Sequence, residues 1–264
     1  MKRIDLIPLD NPVKIGDNCP YFEPNITDDC IFYADGEPIG FYLTQMPERA
    51  IKLAELANKE FNSKNVPKSV MTRSAAVMDG YEKHGKRGTE NLVEQMSCIL
   101  GGIAPRPHMR RPYPTMSSVH QVKSAQTFIK AMYALALESE KLIKEITPNI
   151  YDKQVELFQS VPKQWRFGNL FTSSISNYNI SAPFHRDTGN IKGAVNVIIC
   201  KKHNSKGGDL HIPDYKATIG QQDNSILVFP AWRNVHAVTP ITPTFEGGYR
   251  NSLVFYPLAA FLEK

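Results

Sequence analysis

From Trp165 onward the chain breaks into short apolar segments of β character: NLFTSSISNY, GAVNVIIC, DLHIP, SILVFP, NVHAVTP and NSLVFY. Turn clusters separate them (SAP, TGN, NSKGGD, GQQDN and TFEGG), so none can lengthen into a helix. Six or more strands at this spacing predict a sandwich or jelly roll. The first half reads differently. Residues 1–45 mix short β pieces with turns, Asp35-Gly36 marking a hairpin, and Pro47 to Phe61 carries apolar residues at helical spacing. A second helix is expected from Thr89 to Leu100, ended by Gly101-Gly102. After a proline-rich loop, APRPHMRRPYPTM, a long helix is predicted over 118–146 and a shorter one over 150–160. No linker separates the halves. The expectation is an α+β fold in one domain, 1–264, with mixed strands and supporting helices over 1–164 packed on a β-core over 165–257.

Composition narrows the setting. Hydrophobic residues make up 42% and charged residues 22% of the 264, which is globular, and no run approaches the ~18 apolar residues that span a bilayer. The basic start, MKRIDLIPLDNP, lacks the apolar stretch and cleavage site of a secretory signal. Cys19, Cys30, Cys98 and Cys200 form no CxxC pair, which implies reduced thiols in a soluble intracellular protein. Residues 1–40 carry a charge of −5 and the remainder +10. Such an excess points to an anionic partner, nucleic acid first.

The segment Phe184-His185-Arg186-Asp187-Thr188-Gly189-Asn190 carries the chemistry. His185 and Asp187, two apart on an extended strand end, leave the same face. An imidazole and a carboxylate so placed supply two ligands of a facial triad that keeps positions open on iron. His236 lies 51 residues downstream on a predicted strand, the distance a few antiparallel strands need to return to one mouth. Arg250 follows 14 residues later, with Ser252 on the same strand face. A guanidinium beside a hydroxyl grips a carboxylate. The order His-x-Asp, distal His, Arg-x-Ser within a β-rich half reads as an Fe(II)/2-oxoglutarate site.

The string HRDTGN, the Gly-Gly-x-Leu-x-Ile-Pro stretch at 207–213 and Arg250-x-Ser252 together resemble the oxygenases of the TET/J-binding-protein family, as does DGEPIGFYL upstream. The resemblance implies a double-stranded β-helix (jelly-roll or cupin-like) catalytic core with a helical layer. It also implies an Fe(II)- and 2-oxoglutarate-dependent dioxygenase, with O2 as cosubstrate. The expected activity is hydroxylation of the 5-methyl group of 5-methylcytosine or thymine in DNA. His185, Asp187 and His236 would hold the metal, Arg250 and Ser252 the cosubstrate, and Asn190 a flipped or single-stranded base. The zinc-binding cysteine-rich region of the animal members has no counterpart here, nor does the added DNA-binding domain of the kinetoplastid ones. A compact, monomeric, microbial or phage-like member is the expectation.

Further residues are candidates from the sequence alone. Arg106, Arg110 and Arg111 with His108 and Tyr113, and Lys83, Lys86 and Arg87 in YEKHGKRG, lie in acid-poor loops able to follow a phosphate backbone. Lys201, Lys202 and Lys206 crowd a predicted hairpin and serve either phosphate or a strand edge. Tyr178 is placed beside the cosubstrate, Trp165 and Trp232 near a stacked base, and Arg73 near substrate. His203 and His211 are read as turn or surface-strand residues. Two other readings stay open: a 2-oxoglutarate-dependent hydroxylase of a protein side chain (prolyl-hydroxylase-like) or small molecule, and a non-catalytic β-barrel binding module.

Overall fold

The computed structural model describes residues 1–71, 95–107 and 110–263. Its main feature is a ten-stranded sheet. From one edge to the other run Lys2–Asp5, Cys30–Ala34, Glu37–Leu43, Ile226–Phe229, Asn196–His203, Tyr249–Tyr256, Ser173–Tyr178, Gln95–Ile103 and Ser69–Met71, with Thr115–Met116 paired to Gln95–Ile103. A four-stranded antiparallel sheet, Ala217–Ile219, Leu210–Ile212, His236–Val238 and Ala182–His185, faces its middle. The pair Ser205–Gly207 and Ile241–Pro243 closes one end. This is the expected double-stranded β-helix, with the larger sheet extended at both edges.

Strand alternation sorts the large sheet into two faces. Val197, Ile199, Ile226, Val228, Leu253 and Phe255 turn toward the helices and form one apolar core with them. Leu227 and Phe229 turn the other way, against Leu210, Ile212, Ala217 and Ile219 of the small sheet. Because both faces are covered, the strands read as continuous apolar runs instead of alternating ones. Gly40 allows a close approach between two neighbouring strands, since a Cβ there would strike the Val228 carbonyl.

Among the described residues three α-helices make the outer layer: α1 (Glu48–Asn62), α2 (Gln126–Ile146) and α3 (Pro148–Leu157). Helix α1 buries Ala50, Ala54, Ala57 and Phe61, one stripe at helical spacing, and Phe61 meets Phe128 of α2 with ring centroids 6.0 Å apart. Burying one such ring stabilises the fold by roughly 1.5–3 kcal/mol. Helix α3 opens with Pro148 in its first turn, where the missing N–H costs nothing. Among the described residues no helix is long and apolar enough to cross a membrane.

Two helix expectations change. The segment 118–125 forms two 3-10 turns, Ser118–Gln121 and Lys123–Ala125, broken at Val122 in extended backbone, so the α-helix starts at Gln126. More substantially, residues 95–103 form a strand where a helix over 89–100 was expected. Its apolar residues satisfy either period, and pairing with Ser173–Tyr178 on one side and Ser69–Met71 on the other decides for β. The start of that predicted helix, Thr89 included, lies outside the described residues.

Candidate active site

His185 and His236 face each other directly across the antiparallel pair Ala182–His185 and His236–Val238. Their ring centroids are 4.4 Å apart. Each ring presents Nδ1 to the carbonyl two residues before it: His185 to Pro183 at 2.8 Å, His236 to Asn234 at 3.0 Å. With Nδ1–H donating there, Nε2 of each neutral imidazole is left for a metal. Burial, and then the neighbouring His185, hold His236 below the ordinary histidine range, which favours that ligating form.

Asp187 lies two residues past the strand end, where its N–H donates to the Ala231 carbonyl at 3.1 Å. Its Oδ1 is 3.6 Å from His185 Nε2. One ligand atom from each of His185, Asp187 and His236 lies within 4.8 Å of the other two. Two imidazole nitrogens and one carboxylate oxygen at this spacing fit ferrous iron bound through one facial set. The outer oxygen, Oδ2, accepts from Asn196 Nδ2 at 3.1 Å, and Asn190 Nδ2 lies 3.5 Å from it. Asn190 Nδ2 also donates to Asn196 Oδ1 at 2.8 Å. The two asparagines thus form a chain that ends on the metal-binding carboxylate.

A cavity of about 460 Å³ opens beside the triad. Arg250, Ser252, Val254 and Tyr256 line it from one strand at every second residue, and Asn196 and Ile198 from the next. Arg250 is 2% exposed, and among the described residues it makes no ion pair and its Nε has no hydrogen-bond partner. Such a buried guanidinium fits a carboxylate arriving from outside. The cavity therefore offers an anion anchor at its inner end and three metal ligands nearer its mouth, where the His185 and Asp187 side chains are 37% and 35% exposed. Burial and the charge of Asp187 raise the Tyr256 phenol above its ordinary value, while Arg106 pulls it the other way.

The remaining sequence candidates fall out as follows. Asn190 lines the cavity and is buried. Arg106, Arg110, Arg111 and Tyr113 are exposed, Arg106 and Arg111 exchange backbone hydrogen bonds that close a small hairpin, and Arg110 lies in the left-handed region. Arg73, Lys83, Lys86, Arg87 and His108 lie outside the described residues. Tyr178 is a correction: it pairs in register with Asn251, on the face turned to the helices, and stacks on Tyr249 and Phe61. One residue of parity separates it from the cavity face. Trp232 is another, because its Nε1 donates to the Ala194 carbonyl and it borders a separate cavity with Asp35, Lys153 and Arg233. Trp165 packs on Phe261.

His203 sits at an exposed strand end as expected. His211 is instead buried, stacked on Phe22 with centroids 3.8 Å apart, and burial takes it down to about 4. Lys201 pairs with Asp223, and Lys202 turns inward to the Gly207 and Gln221 carbonyls, so neither serves as an edge lysine. Sequence reasoning passed over Asn196 and Tyr256. The period-two row that starts at Arg250 reaches Tyr256 at its fourth member, and that signal was available.

A family model described as the oxygenase domain of the 2OGFeDO superfamily, Tet_JBP, matches residues 102–258. Among solved structures, NgTET1 in complex with 5mC DNA is similar with a TM-score of 0.58 at 14% identity, over 94% of this chain and 84% of that one. An oxidoreductase of the 2OG-Fe(II) oxygenase family from Burkholderia pseudomallei matches with a TM-score of 0.47 at 11% identity, over 82% of this chain and 84% of that one. No curated protein sequence matches. The segment matched by the family model runs from the strand Gln95–Ile103 through both histidines, the aspartate and Arg250-x-Ser252, and with it the chain belongs to the TET/J-binding-protein family of Fe(II)- and 2-oxoglutarate-dependent dioxygenases.

Proposed function

We propose that this dioxygenase hydroxylates the 5-methyl group of a pyrimidine base, 5-methylcytosine or thymine, in DNA. The observation that carries the reading is the exposed, basic hairpin Arg106–Arg111, which follows the strand Gln95–Ile103 at the end where Gly101 pairs with Ser173 and Ser173 in turn with Tyr256, a wall residue of the cavity. Cations at that rim suit a phosphate backbone whose base enters the cavity. NgTET1, similar in fold, is described in complex with 5mC DNA, which agrees with this reading.

His185, Asp187 and His236 would hold Fe(II), and Arg250 with Ser252 would take the distal carboxylate of 2-oxoglutarate. When bound, iron with 2-oxoglutarate and O2 supplies the oxidation of a C–H bond, with succinate and carbon dioxide as coproducts. The protein's part is placement. Asn196 and Asn190 orient the Asp187 carboxylate, and the Nδ1 bonds of the two histidines fix which nitrogen faces the metal. Asn190, on the cavity wall, has its Nδ2 engaged with Asn196, which leaves its Oδ1 to accept from the N4–H of a cytosine or the N3–H of a thymine. The Tyr256 ring offers a flat surface for the extruded base. The same reading has the protein act as a monomer inside the cell, in keeping with four buried free cysteines.

The test is incubation with Fe(II), 2-oxoglutarate, ascorbate and DNA containing thymine or 5-methylcytosine, followed by digestion to nucleosides and mass spectrometry. A hydroxymethyl pyrimidine that disappears with Asp187→Ala is the expected result. Turnover of 2-oxoglutarate with no such product on either DNA would instead move the substrate to a protein side chain or a small molecule.

A further inference from the structure

At the inner end of the cavity the fold leaves more than the Arg250 Nε unsatisfied. Gln221, on the turn after the strand Ala217–Ile219, lines the same cavity, is 1% exposed, and has no hydrogen-bond partner on either side-chain atom among the described residues. A buried polar group without a partner costs roughly 1–3 kcal/mol. An amide held in that state on a cavity wall calls for a ligand that completes it.

The main chain of Gln221 is tied down although its side chain is not. Its N–H donates to Asp209 Oδ1 at 2.7 Å, and its carbonyl accepts from Lys202 Nζ at 3.1 Å. Lys202 is the cross-strand partner of Arg250, and its Nζ lies 4.0 Å from Asp209 Oδ1. The buried Arg250, the half-buried Lys202 and the buried Asp209 therefore meet at this end, two cations to one carboxylate. Burial also raises the Asp209 carboxyl, which weakens its hold on those cations. Gly208 packs its α-carbon against the Arg250 stem, so the guanidinium has little room to retreat. One incoming carboxylate restores the charge balance and offers acceptors to unpaired N–H groups.

We propose that Gln221 is a third member of the distal-carboxylate subsite, donating from Nε2 to the carboxylate held by Arg250 and Ser252, and that it makes the cavity selective for a 2-oxo diacid over 2-oxo acids without a second carboxylate. The inference rests on 2-oxoglutarate occupying this cavity, and it adds a residue that neither the Arg-x-Ser motif nor the triad includes.

The experiment is anaerobic calorimetric titration of the Mn(II)-loaded protein with 2-oxoglutarate and, separately, with 2-oxopentanoate, which has the same chain length and no distal carboxylate. Parent, Gln221→Leu and Gln221→Glu proteins are compared, with Mn(II) affinity measured first as the check on an intact site. Gln221→Leu is expected to weaken 2-oxoglutarate about tenfold, equivalent to about 1.4 kcal/mol, and to leave 2-oxopentanoate unchanged. Gln221→Glu, of the same shape with an added negative charge, is expected to weaken the diacid further. Normal 2-oxoglutarate binding by the parent that both variants retain within twofold overturns the role of Gln221 alone. An equal loss for both acids overturns it too, as a structural effect. No binding of 2-oxoglutarate by the Mn(II)-loaded parent overturns the assignment of the cavity itself.

Discussion

Asn196 donates from Nδ2 to Asp187 Oδ2 at 3.1 Å, on the side of the carboxylate away from His185. The bond pins one oxygen so that the other, Oδ1, turns toward the two imidazoles. Asn196 comes from a strand in the middle of the large sheet, so the metal-binding carboxylate, which itself sits on a loop, is braced by a strand paired on both sides. The Asn190 amide extends the brace by donating to Asn196 Oδ1.

Removing that brace should loosen the metal. Asn196→Ala leaves all three ligands in place but frees the Asp187 carboxylate to rotate, and hydrogen-bond partners of metal ligands typically contribute 10–100-fold to affinity. The expected outcome is a fall in Mn(II) or Fe(II) affinity of that order, read by anaerobic titration. Asn196→Asp, which sets a second carboxylate against Asp187 Oδ2, should be at least as damaging.

Gly208 offers a way to disturb Arg250 without touching it. The residue has φ +73°, and a Cβ there would lie 2.9 Å from Arg250 Cδ. Gly208→Ala is expected to raise the dissociation constant for 2-oxoglutarate severalfold, to leave metal affinity unchanged, and to cost roughly 1 kcal/mol of stability for the positive φ. Gly36→Ala separates the two effects. Its φ is +82°, yet a Cβ meets nothing within 4 Å, so the variant should lose similar stability in a thermal melt and keep normal 2-oxoglutarate binding.

What could be read in the chain before its structure follows from parity and period. His185 with Asp187, and Arg250 with Ser252, were legible because a separation of two puts side chains on one strand face whatever the rest of the fold does. Tyr178 was not, because the phase of an isolated strand against its neighbours depends on register, and its pairing with Asn251 turns it to the helices. The 95–103 strand was misread because both its faces are largely covered, which erases the alternation that marks a half-exposed strand. Gln221 and Asn196 carry no local signal at all. Asn196 acquires its place only when the turn after Asn190 brings its strand back against Asp187, and Gln221 only when the turn that holds it folds beside the Arg250 strand.

Tyr256 separates positioning of the base from the oxidation chemistry. Its ring borders the cavity beside Asp187, and its strand already anchors Arg250 and Ser252. Tyr256→Phe keeps the ring and should retain most hydroxymethyl product. Tyr256→Ala removes the stacking surface, worth about 1–3 kcal/mol per base. It should lower product formation on DNA about tenfold or more while the slow consumption of 2-oxoglutarate without substrate continues. Parallel nucleoside mass spectrometry and succinate measurement check both outcomes, and equal loss of the two would place Tyr256 in cosubstrate binding instead.

The hairpin at Arg106–Arg111 makes a prediction about salt. Arg110 and Arg111 are exposed and make no ion pair among the described residues, so their loss should cost little stability. If both neutralise phosphates, each contributes close to one unit to the slope of log affinity against log salt concentration. Arg110→Ala with Arg111→Ala should therefore reduce the magnitude of that slope by about 2 and weaken DNA at low salt, while 2-oxoglutarate affinity stays at the parent value. Fluorescence anisotropy of a labelled duplex over a range of potassium chloride measures it. A slope unchanged in the double variant would remove the hairpin from the DNA interface and leave the substrate's backbone to be held elsewhere on the rim.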